Sequence, residues 1–359
     1  MRIGIVTILF NRGQSVVSLT IRKALLDLNH EVFVFARLGH CHGESFLEKT
    51  GEFLFPNITY NPTYEISPMI LRNWAQKRSL DAVIFNEEMD WSLVSIFKSS
   101  GIRTIGYVDC LFPNWSGRMH LYDLAWSATH RTYNMLLKMP NMKTRAFYIG
   151  WGLNLPYNGD EYPRYDFFHN AGQIGINYRK GTDILLEAYS KLYNSGENYS
   201  LLIHSQVPYE RTGLPIENYK IPGLHWRTET IAPPGLYHLG RVVVQPSRVE
   251  GLGLTIPEAL WQGRPVITTD GPPMNEFISA VNGICIKPIS SKIREDKLSF
   301  PELTISSSDL ADKMKFIMSK ENQLNLFDKD VILDKSHKMF NWKVFCDRIK
   351  SSLLQIGIS

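Results

Sequence analysis

The chain has 359 residues, 44% hydrophobic and 12% aromatic, with 39 Lys and Arg against 35 Asp and Glu for a formal charge of +4. That much apolar sequence buries a large core, which excludes disorder as the main state, and the length predicts two domains. The charge is mild and no Lys/Arg block interleaves with aromatics, so no nucleic-acid partner is expected.

The N-terminal run Ile3 to Phe10 is too short for a signal segment, and no run of about 18 apolar residues occurs to cross a membrane. Arg2 to Ile8 reads instead as a strand buried on both faces, as in parallel sheets. The loop Asn11-Arg12-Gly13-Gln14-Ser15 follows. Val17, Ile21, Ala24, Leu25 and Leu28 then predict a helix ending at Asn29-His30, and Glu31 to Phe35 a second strand, completing one βαβ unit. His40-Cys41-His42 lacks a second half with zinc spacing, so a loop and no metal are expected. The four cysteines, at 41, 110, 285 and 346, form no CxxC pair and read as free thiols in a reducing cytoplasm.

Met69 to Arg78 is basic and amphipathic. It reads either as a surface helix with an apolar inner face or as a contact with an anionic membrane, at the inner face of which a cytoplasmic protein would sit. Asp81 to Phe85 and Arg103 to Val108 predict buried strands around a helix over Ser92 to Lys98. Leu124 to Ser127 and Ala146 to Ile149 predict two more. Trp115 and Tyr122 are candidates for core packing or for stacking on sugars.

Around 153–166 the composition turns to Asn, Pro, Gly, Asp and Tyr, which marks a linker. A second strand–helix series follows: a strand at 166–169, a helix over Thr182 to Tyr193, strands at 200–204, 241–245 and 265–268, a helix at 258–262, and helix from Asp309 to the end. The expected fold is α/β: two doubly wound domains facing across a cleft, over 1–160 and 166–339, with ligand at the carboxyl ends of the strands.

The most informative segment is 245–276. Strand 241–245 enters a loop with Gly251 and Gly253, and Pro257 suits the first turn of the next helix. Such a turn admits a phosphate close to the backbone. Glu250 precedes the turn and Glu258 follows it, and carboxylates accept hydrogen bonds from sugar hydroxyls. A glycine pair alone carries little weight. Glu250-Gly251-Leu252-Gly253-Leu254, Glu258 seven residues beyond the first glutamate's neighbour, and Gly263-Arg-Pro-Val-Ile267 are more specific together.

These residues resemble the family 4 (group 1) retaining glycosyltransferases of GT-B fold. Glu250 and Glu258 match that family's two-glutamate motif. Pro246-Ser247, Ala259, Gly263-x-Pro265, Glu276 and Asn282-Gly283 match as well, and Lys180-Gly181 resembles its lysine–glycine stretch. Phe340-Asn-Trp342 resembles the start of a C-terminal segment, about 340–359, that crosses back onto the first domain. The resemblance implies a transferase moving a sugar from a nucleoside-diphosphate sugar, of UDP or GDP type, to a saccharide or lipid-linked saccharide, without a metal or resident cofactor. It implies that Glu250 holds the donor sugar, Glu258 the ribose, the amides of Gly251, Leu252, Gly253, Leu254 and Thr255 the diphosphate, and Lys180 the leaving phosphate.

The sequence departs from the family in three places. Gln173 stands where the family has arginine, and Arg179 is the substitute cation. Asp109 stands where many members have histidine and reads as a hydrogen-bond acceptor or a turn residue. Only Gly13 remains of a glycine-rich loop, and it serves either the donor or the turn after the first strand. Two other readings stand beside the transferase: a nucleotide-sugar epimerase or hydrolase, and a non-catalytic sugar-binding scaffold. A dehydrogenase is disfavoured, because no GxGxxG follows a predicted strand.

Overall fold

The computed structural model describes residues 1–358 apart from 42–43, 99, 144, 174, 216–218, 220, 294–298 and 320–326. The chain divides into two compact units, Met1–Gly152 with Trp342–Ser359, and Leu153–Asn341.

The first unit is built on strands β1 (Arg2–Ile8), β2 (Glu31–Arg37), β5 (Ile58–Asn61), β6 (Ala82–Asn86), β7 (Arg103–Tyr107), β8 (Leu124–Ser127) and β9 (Ala146–Tyr148), with a small hairpin β3 (Gly39–Cys41) and β4 (Glu44–Phe46). The seven main strands lie in the order β5-β2-β1-β6-β7-β8-β9, all parallel. Burial on both faces explains their uninterrupted Val, Ile and Phe runs: Ile3, Ile5, Ile84 and Phe85 are fully buried. Helices α1 (Gly13–Asp27), α2 (Pro68–Lys77), α3 (Trp91–Ser95) and α4 (His130–Leu137) link the strands. Each wholly buried Leu or Ile contributes about 1.5–3 kcal/mol.

The second unit repeats this plan. Strands β10 (Tyr165–Gly172), β11 (Leu201–Ser205), β12 (Leu224–Thr228), β13 (Gly240–Gln245), β14 (Val266–Thr269) and β15 (Gly283–Ile286) form a parallel sheet in the order β12-β11-β10-β13-β14-β15. An antiparallel hairpin, β16 (Ser290–Ile293) and β17 (Pro301–Thr304), follows. Helices α5 (Thr182–Asn194), α6 (Thr255–Trp261), α7 (Ser307–Met318) and α8 (Lys329–Met339) belong to this unit. The last helix, α9 (Trp342–Leu354), returns to the first, where Trp126 Nε1 donates to Ser352 Oγ at 2.9 Å and Trp342 Nε1 to Asp27 at 2.8 Å.

The sequence periodicity gives no sign of β5 and β12. Both are sheet-edge strands with half-buried or exposed residues, so neither shows a continuous apolar run. The helix expected from Asp309 to the end is interrupted: Ser319 closes α7 in extended conformation, Asp328 caps a new helix, and Phe340-Asn341 breaks it again. The helix expected at 258–262 starts three residues earlier, at Thr255.

Candidate functional site

In the second unit the strand order reverses between β10 and β13. Open α/β sheets bind ligands outside the carboxyl ends of strands at such a switch point. The loops leaving these two strands carry Gln173, Arg179 and Lys180 on one side and Ser247, Arg248 and Glu250 on the other.

The loops are laced together. Arg248 N–H donates to Arg179 O at 2.8 Å. The Arg248 guanidinium donates to Tyr178 O at 2.5 Å and to both carboxylate oxygens of Asp183 at 2.8 and 2.7 Å, while stacking 4.2 Å from the centre of the Tyr178 ring. Gly181 begins α5 at φ +70°, and a Cβ there would meet Pro246 O at 2.0 Å. Only glycine permits both that backbone and that approach.

The lacing brings two cations onto one carboxylate. Arg179 donates to Glu250 Oε2 at 2.5 Å, Lys180 donates to Oε1 at 2.8 Å, and Ser247 Oγ donates to Oε1 at 2.8 Å. Burial alone pushes the Glu250 carboxyl up. The Arg179 and Lys180 charges and the Lys180 and Ser247 hydrogen bonds overcome that push and hold it at about 2. Burial lowers Lys180, and Glu250 opposes the shift. Two basic side chains thus meet one carboxylate, an arrangement that suits an anionic ligand. Beneath it, His169 is fully buried between Val244 O (2.7 Å) and Thr182 Oγ1 (2.9 Å), and burial holds it down at about 4, so it is a neutral core group.

Glu258 lies on α6, behind a turn in which Gly251, Leu252, Gly253, Leu254 and Thr255 lead into the helix. Gly253 takes φ +79°, the left-handed region. Tyr237 donates to Glu258 Oε2 at 2.6 Å. Burial raises the Glu258 carboxyl to about 7, against the opposing Tyr237 hydrogen bond and the Lys180 charge. The two glutamates of the motif therefore differ: one is held well below the usual carboxylate range, the other is raised toward neutral pH.

Asp109 and Gly13 belong to the first unit. Asp109 is buried and its Oδ2 accepts from Tyr107 at 2.5 Å. Burial, then the nearby Glu87 charge, raises it to about 7. Gly13 opens α1 without left-handed backbone, so no tight turn requires it there. Trp115 and Tyr122 are packed inside, each 1% exposed, which favours the packing reading. Helix α2 turns Leu71, Trp74 and Ala75 inward and leaves Met69, Ile70, Arg72 and Lys77 exposed.

Cys110, Cys285 and Cys346 are free thiols. The Cys41 side chain and His42 of the His-Cys-His run lie outside the described residues. Among the described residues, no group of three or more His, Cys, Asp or Glu is placed to hold a metal ion, and no helix is long and apolar enough to cross a membrane.

Comparison with known proteins bears on this site. Residues 168–297 match the family Glycosyl transferases group 1. That stretch contains the switch-point loops, Glu250 and Glu258. No curated protein is matched. Among solved structures, a glycosyltransferase from Rickettsia africae superposes with a TM-score of 0.75 at 14% identity, covering 100% of this chain and 99% of that one. HepE from Anabaena, in complex with UDP and glucose, superposes with 0.74 at 13% identity over 99% and 100%. The pneumococcal O-GlcNAc transferase GtfA, with UDP and GlcNAc, gives 0.70 at 12% over 99% and 99%. The two doubly wound sheets expected from the sequence are thus present, in the fold of GT-B glycosyltransferases.

Sequence reasoning missed Arg248, Asp183, Tyr237 and Asn170. Arg248 sits inside the singled-out segment, but its partner is 65 positions away. Tyr237 lies in an irregular stretch with no period to mark it.

Proposed function

We propose that this chain transfers a sugar from a nucleoside-diphosphate sugar, of UDP or GDP type, to a saccharide or lipid-linked saccharide acceptor, with retention of configuration. The observation that carries this reading is the convergence of Arg179 and Lys180 on Glu250 at the β10/β13 switch point. The match of residues 168–297 to a glycosyltransferase family and the UDP in HepE and GtfA support it.

In this reading Lys180 and Arg179 meet the diphosphate. Charge builds on the leaving phosphate as its bond to the sugar breaks, and fixed cations lower that barrier. Glu250 holds sugar hydroxyls and Glu258 the ribose diol. Retention follows if the acceptor oxygen joins the anomeric carbon on the face the phosphate leaves. The acceptor proton then passes to a phosphate oxygen, with no protein base needed. Asp109 serves the acceptor side as a hydrogen-bond acceptor. Gln173 and the turn 251–255 complete the donor contacts. The exposed basic face of α2 is assigned to peripheral contact with an anionic membrane.

The test is thermal stability against UDP-, GDP-, ADP- and CMP-sugars, with Lys180→Ala in parallel. A donor at 100 times its Kd adds about 2.7 kcal/mol. A shift with one nucleotide class that vanishes in the variant supports the reading. No shift with any donor overturns it. Binding without nucleoside-diphosphate release against any acceptor assigns a sugar-binding scaffold instead.

A further inference from the structure

We propose that Tyr237 is the positioning residue for Glu258: an Asn170–Tyr237–Glu258 chain of hydrogen bonds holds that carboxylate in one orientation and favours its ionised form. The inference rests on Glu258 being a donor contact. It assigns the control of that contact to residues outside the glutamate motif.

The chain crosses three elements. Asn170 lies near the end of β10, where the strand's register with β11 shifts. Its Nδ2 donates to Tyr237 Oη at 2.9 Å. Tyr237, on the turn Tyr237–Leu239 before β13, is fully buried and packs edge-on to Phe168 with ring centres 5.4 Å apart. An amide NH2 only donates, so the Tyr237 oxygen accepts from Asn170 and its single proton points to Glu258 Oε2, 2.6 Å away. That length is typical of a hydroxyl bound to a charged carboxylate. With Oε2 engaged, Oε1 remains to accept from a ligand.

The charged and titratable groups on the elements packed against α6 are Tyr237 and His238 on the turn Tyr237–Leu239, Arg241 on β13, Glu276 on the turn Met274–Phe277, and Lys329, Asp330, Asp334, Lys335, His337 and Lys338 on α8, with Lys180 on the β10–α5 loop. Lys329 is turned to Asp160, Lys335 to Ser279 and His337 to Trp261. Lys180 is the charge felt at the Glu258 carboxyl, and it favours the ionised form, as the Tyr237 proton does. Removing that proton leaves burial less opposed. The carboxyl then protonates at a higher pH and ceases to be a pure acceptor.

The experiment is calorimetric titration of the full chain with UDP-glucose and GDP-mannose from pH 6 to 9. Their diphosphate diesters stay ionised across that range. In the wild type, affinity should fall as pH drops through about 7, where Glu258 gains its proton. Tyr237→Phe should bind about tenfold more weakly at pH 7 and recover toward wild-type affinity at pH 9, because its midpoint moves up. Asn170→Ala, which leaves the tyrosine in place, should show a smaller shift in the same direction. Glu258→Gln should be weak and flat with pH, and adding Tyr237→Phe to it should cost nothing more. Unchanged affinity in Tyr237→Phe, a loss equal at all pH values, or additive losses in the double variant would overturn the relay and leave the donor site standing. No binding of either sugar nucleotide by the wild type would overturn the donor site and the relay with it.

Discussion

At the carboxyl ends of their sheets the two units handle charge in opposite ways. In the second unit, two basic side chains, Arg179 and Lys180, close on one carboxylate, Glu250, in fixed geometry. In the first, Asn86 and Gln14 exchange hydrogen bonds at 2.8 Å at the equivalent switch point between β1 and β6, tying the end of β6 to the first turn of α1 with neutral groups. The acids beside them, Glu87 and Asp109, are raised by burial rather than held down by partners. The same topology therefore yields a rim that suits an anion and a rim whose buried carboxyls are shifted toward the neutral form. Strand order fixes where a site can be, and the loop chemistry decides what it accepts.

The largest test of that contrast is Glu250→Gln. It keeps the shape and removes the charge that organises both cations, so turnover should fall about 10²–10³-fold, read as nucleoside-diphosphate release. A loss under fivefold would show that the cations organise themselves. Next is Gly181→Ala. A Cβ 2.0 Å from Pro246 O, on backbone at φ +70°, should destabilise the chain by about 2–4 kcal/mol, seen as a lowered denaturation midpoint. A smaller effect would mean that the two loops are not locked together.

The pH response separates the rims. Asp109 is raised to about 7, so its contribution to stability is greatest at acid pH and is lost as pH climbs through 7. Glu250 is lowered to about 2, so its contribution is present above the ordinary carboxyl value and is lost as pH falls toward 2. Asp109→Asn should flatten the neutral limb of a plot of Tm against pH, and Glu250→Gln the acid limb. Identical profiles would erase the distinction. The smallest effect expected is from Ser352→Ala, which leaves the buried Trp126 N–H without its acceptor: about 1–3 kcal/mol in the denaturation midpoint.

The parallel sheets were legible in the sequence because burial on both faces writes itself as unbroken apolar runs such as Ile3–Ile8 and Val242–Val244. Edge strands β5 and β12 carry no such run and leave no mark in the sequence pattern. The Glu250 loop was legible because its glycines, cations and acids fall in two short stretches. Arg248 and Tyr237 were not, since their roles come from partners brought in by the fold, Asp183 and Glu258. In the first unit the acids rather than any motif mark the rim, and Asp109 owes its shifted titration first to burial and then to Glu87, 22 positions earlier and on a neighbouring strand end.

The return of α9 to the first unit makes the second unit an insertion within the first. Leu153 N–H donates to Phe340 O at 3.0 Å, so the folded second unit presents its two ends side by side. Closing a flexible loop of its length, about 190 residues, would cost roughly 4–5 kcal/mol of chain entropy. Folding the second unit first removes most of that cost. The first unit, whose final helix follows the second unit in the chain, is therefore completed last. Phe345, Ile349 and Leu353 on that helix are buried, so part of the first unit's core is supplied from beyond the second unit in the chain.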